Sequence, residues 1–153
     1  METVAANTRA LTVRCQFCEA WNRVNSERVA SGPKCGKCGK PILLDRPFAL
    51  TDDTFSRTIN ESDVPVFVDF YADWCGPCRM MAPAVDALAA HVRGKALVAK
   101  LNTDTSPRTA GGFDIRGIPT VIVFQQGKEV ARQSGALPLE RLKQLLARAG
   151  VAI

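Results

Sequence analysis

Apolar residues follow two different spacings along this chain, and the changes between them mark its elements. Residues 64–71 are almost continuously apolar, with Asp69 the one carboxylate among them. Such a run predicts a buried strand. From residue 76 to 93 the spacing becomes helical, with Met81, Ala84, Val85, Leu88 and Val92 on one face, and Pro83 inside it predicts a kink. Residues 96–102 and 120–124 return to strand character. A turn at Gln126-Gly127 joins the latter to a hairpin partner over residues 128–133. Residues 106–112 form a short helix or turn. A last helix over 138–149 turns Leu139, Leu142, Leu145 and Leu146 inward. Ahead of the first strand, a short helix starts at residues 51–55, with Thr51 or Asp52 as N-cap. The order β-α-β, then α, a β-hairpin and a helix predicts a central mixed sheet flanked by helices.

The amino-terminal third does not fit this scheme. Residues 15–40 are rich in Lys, Arg, Gly and Cys and poor in apolar side chains. A segment of that kind forms no core of its own and needs a staple. Residues 1–10 read as a loose terminus and 39–47, with Pro41 and Pro47, as a linker. The expected division is a small module with its linker over 1–45 and an α/β domain over 46–153. Charge follows the same division. Residues 1–50 carry eight Lys or Arg against four Asp or Glu, and residues 51–153 twelve against eleven.

Residues 1–12 hold no apolar stretch of the kind a secretory signal needs. No apolar run approaches the roughly 20 residues that cross a bilayer. The expectation is a soluble cytoplasmic protein, acting as a monomer and away from membranes. Thiols in that compartment stay reduced, so cysteines serve as ligands or catalysts more than as permanent staples. All six cysteines here fall in Cys-x-x-Cys pairs, Cys15/Cys18, Cys35/Cys38 and Cys75/Cys78.

The third pair stands where the predicted strand meets the predicted helix, in Trp74-Cys75-Gly76-Pro77-Cys78. Disulfide exchange needs a thiolate, and a free Cys with a pKa of about 8.5 supplies little of it at neutral pH. Cys75 lies at or beside the N-cap, where free N–H groups and the helix dipole favour its anion. Pro77 falls in the first turn, where a missing N–H costs nothing. Gly76 lets a partner's backbone approach. Cys78, one turn along on the buried side, is placed to attack a mixed disulfide from within. Cys75 is thus the candidate nucleophile and Cys78 the resolving thiol. Burial should raise the pKa of Asp69, making it a candidate proton carrier; a solvent-facing Asp at a strand end is the alternative.

These residues carry a resemblance to the thioredoxin family that covers roughly residues 46–153. It extends to residues 50–53, 68–80, 98–102, 115–120 and 135–137, including Ile115-Arg116-Gly117-Ile118-Pro119-Thr120. The resemblance implies the thioredoxin fold, in which Pro119 is a cis-proline facing the site. It also implies that Asp69 exchanges a proton with Cys78, with Lys100 beside it. Trp74, Gly76, Pro77, Ile118, Pro119 and Gly135 would line the surface where a disulfide-containing substrate protein lies. Thioredoxin reductase, drawing on NADPH, is the implied recycling partner, since the chain has no nucleotide-binding signature. One departure is Tyr71, which stands where many thioredoxins have a second Trp.

The first two pairs form C-x2-C-x16-C-x2-C, a four-cysteine zinc spacing. Gly36 and Gly39 suit the tight turn at the second pair. Four thiolates close a tetrahedral shell, so the ion expected on Cys15, Cys18, Cys35 and Cys38 is one structural Zn2+. Two local disulfides or a second redox pair are the alternatives. A zinc ribbon ahead of such a domain resembles the bacterial thioredoxin 2 subclass.

The function that emerges is a reductant of protein disulfides. A disulfide oxidase or isomerase is the competing enzyme. A zinc-dependent client-binding or oxidation-sensing module, with redox activity secondary, is the competing class. Phe17 and Trp21 beside Arg14, Arg23, Lys34 and Lys37 raise nucleic-acid stacking as a weaker option. A solvated basic face with both aromatics on the metal site explains them more simply. His91 reads as a helix-end residue, and Met80 and Met81 as ordinary helix positions.

Overall fold

A computed structural model describes residues 9–152; most of the expected loose start, residues 1–8, lies outside them. The chain runs β1 (Ala10–Arg14), β2 (Trp21–Asn25), a 3-10 helix (Ser26–Ser31), β3 (Phe48–Leu50), α1 (Phe55–Glu61), β4 (Val66–Tyr71), α2 (Gly76–His91), β5 (Leu97–Asn102), α3 (Pro107–Gly112), β6 (Thr120–Gln125), β7 (Lys128–Ser134) and α4 (Leu139–Ala147). The main sheet has the order β3-β5-β4-β6-β7. β3, β5 and β4 are parallel, while β6 and β7 run antiparallel to their neighbours. This is the mixed sheet that the hydrophobic pattern predicts. The β6–β7 turn places Gln126 and Gly127 both at positive φ (51° and 81°), the backbone that a two-residue hairpin requires.

Side-chain alternation along β4 divides the core. Val66, Val68 and Phe70 point to one face, with Phe55, Ile59 and Phe124. Phe67 points to the other, against Met81, Val85 and Leu88 of α2 and Leu142 and Leu146 of α4. Tyr71, on that second face, packs against Cys75 and Cys78. Asp69 therefore sits between the α2 core and the cysteines, at the middle of the central strand.

α1 starts later than its capping signals suggest. Its N-cap is Thr54, because residues 51–54 form a turn in which Thr54 Oγ1 accepts from the Thr51 N–H at 2.9 Å. Asp52 does cap a helix, but a distant one. Its carboxylate accepts from the backbone N–H groups of Arg108 (3.3 Å) and Thr109 (2.8 Å), at the start of α3. α2 continues as one helix through Pro83, although Pro83 cannot donate to the Arg79 carbonyl.

Residues 39–47 are not a free linker. Lys34 and Pro41 form a bridge, the Ile42 N–H donates to Pro33 O at 2.9 Å, and Leu44 is buried. The amino-terminal segment, too poor in apolar residues for a core of its own, shares one. Leu11, Val13, Val24, Val29 and Leu44 join the cluster of Leu50, Phe55, Ile59 and Val66. Its polar groups meet the end of α1. Thr12 Oγ1 and Arg23 Nη1 both donate to the Glu61 carbonyl, at 3.0 and 2.9 Å. The segment thus satisfies a carbonyl that the helix end leaves open.

Ser62 is the buried link in that contact: its Oγ accepts from the Thr12 N–H at 3.0 Å and donates to Thr12 O at 3.4 Å. Ser62→Ala leaves two buried backbone groups without their partner. The fold should lose about 2 kcal/mol, read as a lower urea midpoint at unchanged slope. An unchanged midpoint would show that this seam is not under load.

Candidate functional site

Two clusters of chemistry-bearing residues lie apart in the fold. The first is made by two near-identical turns. In one, the Cys15 N–H donates to Ala20 O (2.7 Å) and the Glu19 N–H to Cys15 O (3.0 Å). In the other, the Cys35 N–H donates to Lys40 O and the Gly39 N–H to Cys35 O, both at 2.9 Å. In each turn the N–H two residues on donates to the first sulfur, from Phe17 to Cys15 Sγ and from Lys37 to Cys35 Sγ, both at 3.4 Å. Glu19 and Gly39 occupy the same left-handed position, at φ 67° and 76°. The turn therefore forms without the glycine that marks the second pair.

The two turns meet with all four sulfurs within 4.8 Å of one another. Cys15 and Cys38 are 3.6 Å apart, and Cys18 and Cys35 3.5 Å. A tetrahedral ion with sulfur at about 2.3 Å needs sulfurs about 3.8 Å apart, so the donor set fits a metal with little adjustment. The N–H of Cys38, then the Asn22 amide and the Lys37 N–H, bring Cys35 down to about 6. The Ala20 N–H pulls Cys18 down, yet burial and hydrogen bonds with the neighbouring thiols carry it up to about 11. Adjacent sulfurs oppose one another's ionisation until a cation stands among them. Asn22, which donates to Cys35 Sγ (3.4 Å) and accepts from the Gly36 N–H (3.0 Å), has no signal in the sequence. It lies on β2, thirteen residues from the sulfur that it supports.

The basic face around this cluster is largely engaged. Arg57 of α1 lies 4.6 Å over the Trp21 ring, and Lys40 4.7 Å over Phe17. Arg23 pairs with Asp63 at 3.6 Å. Trp21 is thus packed on α1 rather than offered for stacking, whereas Phe17 is 52% exposed.

The second cluster lies at the start of α2. Cys75 is its N-cap, and the Cys78 N–H donates to Cys75 Sγ at 3.2 Å. Cys75 and Cys78 are joined by a disulfide, with Cα atoms 5.2 Å apart. Both are buried as residues, although Gly76 and Pro77 between them reach solvent. The Ile118 carbonyl oxygen is 3.7 Å from Cys75 Sγ. The Ile118–Pro119 peptide bond is cis, and Pro119 O accepts from the N–H of Gly135 at 2.8 Å. Gly135 holds φ at +98°, a backbone that side-chain-bearing residues avoid. Trp74 is 69% exposed and Met80 79%. Both are large apolar side chains left in water close to the redox pair in sequence.

Beneath the disulfide, Asp69 has no solvent exposure, and neither of its carboxylate oxygens has a hydrogen-bond partner among the described residues. Burial pushes its pKa up to about 6, partly offset by the charge of Lys100. Lys100 is the strand partner of Asp69 in β5, and its Nζ rests 4.5 Å over the Tyr71 ring. A buried carboxylate left without partners is costly, and costly groups of this kind concentrate at reacting centres. The sequence-predicted residues thus lie on β4 and its neighbour β5 (Asp69, Lys100), at the start of α2 (Trp74, Cys75, Gly76, Pro77, Cys78), before β6 (Ile118, Pro119) and after β7 (Gly135). Asp104, which accepts from the Trp74 indole, escaped the sequence reading.

Comparison with known proteins finds two family models in the chain. The family model Thioredoxin matches residues 46–148, and the model for the Thioredoxin 2 N-terminal zinc ribbon matches residues 14–40. Thioredoxin C-3 of Corynebacterium nephridii is 41% identical over 136 residues, covering 89% of this chain and 93% of that protein. Thioredoxin 1 of a Nostoc species is 50% identical over 97 residues, 63% of this chain and 91% of that protein. Among solved structures, a mutant thioredoxin from Halobacterium salinarum matches with a TM-score of 0.65 at 32% identity. That match covers 73% of this chain and 96% of the other.

Proposed function

The chain belongs to the thioredoxin family of disulfide oxidoreductases, and from that premise we propose that it works in the cytoplasm as a monomeric reductant of protein disulfides, recycled by NADPH through thioredoxin reductase. The observation that carries this reading is the Cys75/Cys78 pair at a helix N-terminus, over a buried carboxylate with no hydrogen-bond partner among the described residues.

Each step balances. The Cys75 thiolate, favoured by the free N–H groups of the helix start, attacks one sulfur of a substrate disulfide. The substrate S–S bond breaks, a mixed disulfide forms, and one substrate thiolate leaves. The Asp69 carboxylate then takes the Cys78 proton, and Cys78 attacks Cys75 Sγ. The second substrate thiolate leaves, and two electrons have passed to the substrate. Lys100 steadies the charge on Asp69. Trp74, Gly76, Pro77, Ile118, Pro119 and Gly135 receive the substrate chain around the reacting sulfur.

Residues 1–45, in this reading, are a zinc ribbon with its connection, and residues 46–153 the redox domain. One Zn2+ on Cys15, Cys18, Cys35 and Cys38 ties the two turns together; bound there it is structural, since four protein thiolates leave no place for a substrate. That thiols serve both as ligands and as a cycling pair fits a reducing compartment. Among the described residues, no helix is long and apolar enough to cross a membrane.

The test is insulin reduction driven by NADPH and thioredoxin reductase, with metal content determined on the same sample. Turnover with one zinc per chain is the expected result. Turnover with dithiothreitol but not with the reductase would remove the partner, and a metal-free chain that folds normally would remove the zinc.

A further inference from the structure

Trp74 immediately precedes Cys75 and stands mostly in water, so packing alone does little to fix its ring. A hydrogen bond does: the indole N–H donates to Asp104 Oδ2 at 3.0 Å. Asp104 is itself held. Its N–H donates to Asn102 Oδ1 at 2.9 Å. Thr103, before it, donates to the Tyr71 carbonyl from its N–H (2.8 Å) and its Oγ1 (3.1 Å). Asn102 Nδ2 in turn reaches Asp73 Oδ2 at 3.5 Å. The segment entering Cys75 and the loop leaving β5 are therefore clasped together, with the Trp74 ring as the outer member.

We propose that Asp104 is a positioning residue for exchange with protein disulfides, holding the Trp74 indole in place as a preformed platform beside Cys75. The proposal rests on the reading that Cys75 reduces protein disulfides. A free indole on a surface samples several rotamers, and a docking partner must order whichever it meets. A carboxylate fixed by its own loop removes that requirement in advance. A small aromatic disulfide gains nothing from the arrangement, because it needs only the sulfur of Cys75.

The experiment compares Asp104→Ala and Asp104→Asn with the unaltered full-length chain, all pre-reduced. Rates are measured with insulin and with 5,5′-dithiobis(2-nitrobenzoate). Asp104→Ala removes the acceptor. It should slow the second-order reaction with insulin about fivefold, the scale of one hydrogen bond, with the small disulfide within about twofold. Asp104→Asn keeps an acceptor oxygen without the charge and should restore the insulin rate. In NMR spectra, the Trp74 indole N–H should exchange with solvent faster in the Ala variant only, with the Trp21 indole as internal reference. An unchanged insulin rate in the Ala variant would overturn the proposal. So would an equal loss with both disulfides, or an Asn variant as slow as the Ala one. Failure of the unaltered chain to reduce either disulfide would instead overturn the reading on which the proposal rests.

Discussion

Cys75→Ser should abolish disulfide reduction, lowering turnover with insulin by at least about three orders of magnitude. An alcohol with a pKa far above that of a thiol supplies almost no anion, even as the N-cap of α2. The substitution leaves the helix start intact, because Ser is itself a favoured N-cap. Loss of activity should therefore come without loss of fold. Cys78→Ser separates the two sulfurs further. The first attack survives, the second cannot follow, and a mixed disulfide with the substrate should accumulate on Cys75. Mass spectrometry of the trapped adduct reads the site directly. If the Cys75→Ser chain still turns over, or the Cys78→Ser chain traps nothing, the assignment of nucleophile and resolving thiol fails. The four ribbon cysteines, in two turns of their own, should carry no adduct in either variant.

Asp69→Ala should stabilise the fold at pH 7 by about 3 kcal/mol while slowing the resolving step about a hundredfold. Both effects have one cause. Burial raises the carboxyl from 3.8 to about 6, a difference of about two units at 1.36 kcal/mol each. As pH rises from about 4, the unfolded chain gives up this proton first and the folded chain holds it. Stability of the unaltered protein should therefore fall between about pH 4 and pH 6 and level off above. The Ala variant lacks this dependence, so its advantage appears within that window and vanishes below it. Denaturant midpoints across pH 3.5–8 check the sign. In the kinetics, Cys78 loses the carboxylate that takes its proton. The limb of the pH–rate profile that rises through about 6 should disappear. A variant no more stable at pH 7 than the unaltered chain would show that Asp69 is better compensated than its lack of hydrogen-bond partners among the described residues indicates. A variant with the rising limb intact would remove Asp69 from the proton path.

The sequence alone determined whatever depends on neighbours a few residues apart. The apolar run of β4, the helical face of α2 with Met81, Val85 and Leu88, and the Gln126-Gly127 hairpin are local patterns. So are a Cys-x-x-Cys at a strand-to-helix junction and the paired spacing of Cys15, Cys18, Cys35 and Cys38. Tertiary structure decided what depends on partners far along the chain. Asp52 carries a helix-capping side chain, but its helix begins more than fifty residues later, at Pro107. Residues 39–47 have the composition of a linker and pack instead as part of a wall, because Leu44 finds apolar surface on the main domain. Leu11 and Val13 are too few to make a core, yet are buried because α1 lends them one. Trp74 looks like part of a motif, but its acceptor lies thirty residues away. Capping, turn formation and periodicity are written into short stretches because backbone geometry is local. Burial and hydrogen-bond satisfaction are not, because a polar or apolar group accepts whichever partner the folded chain brings to it.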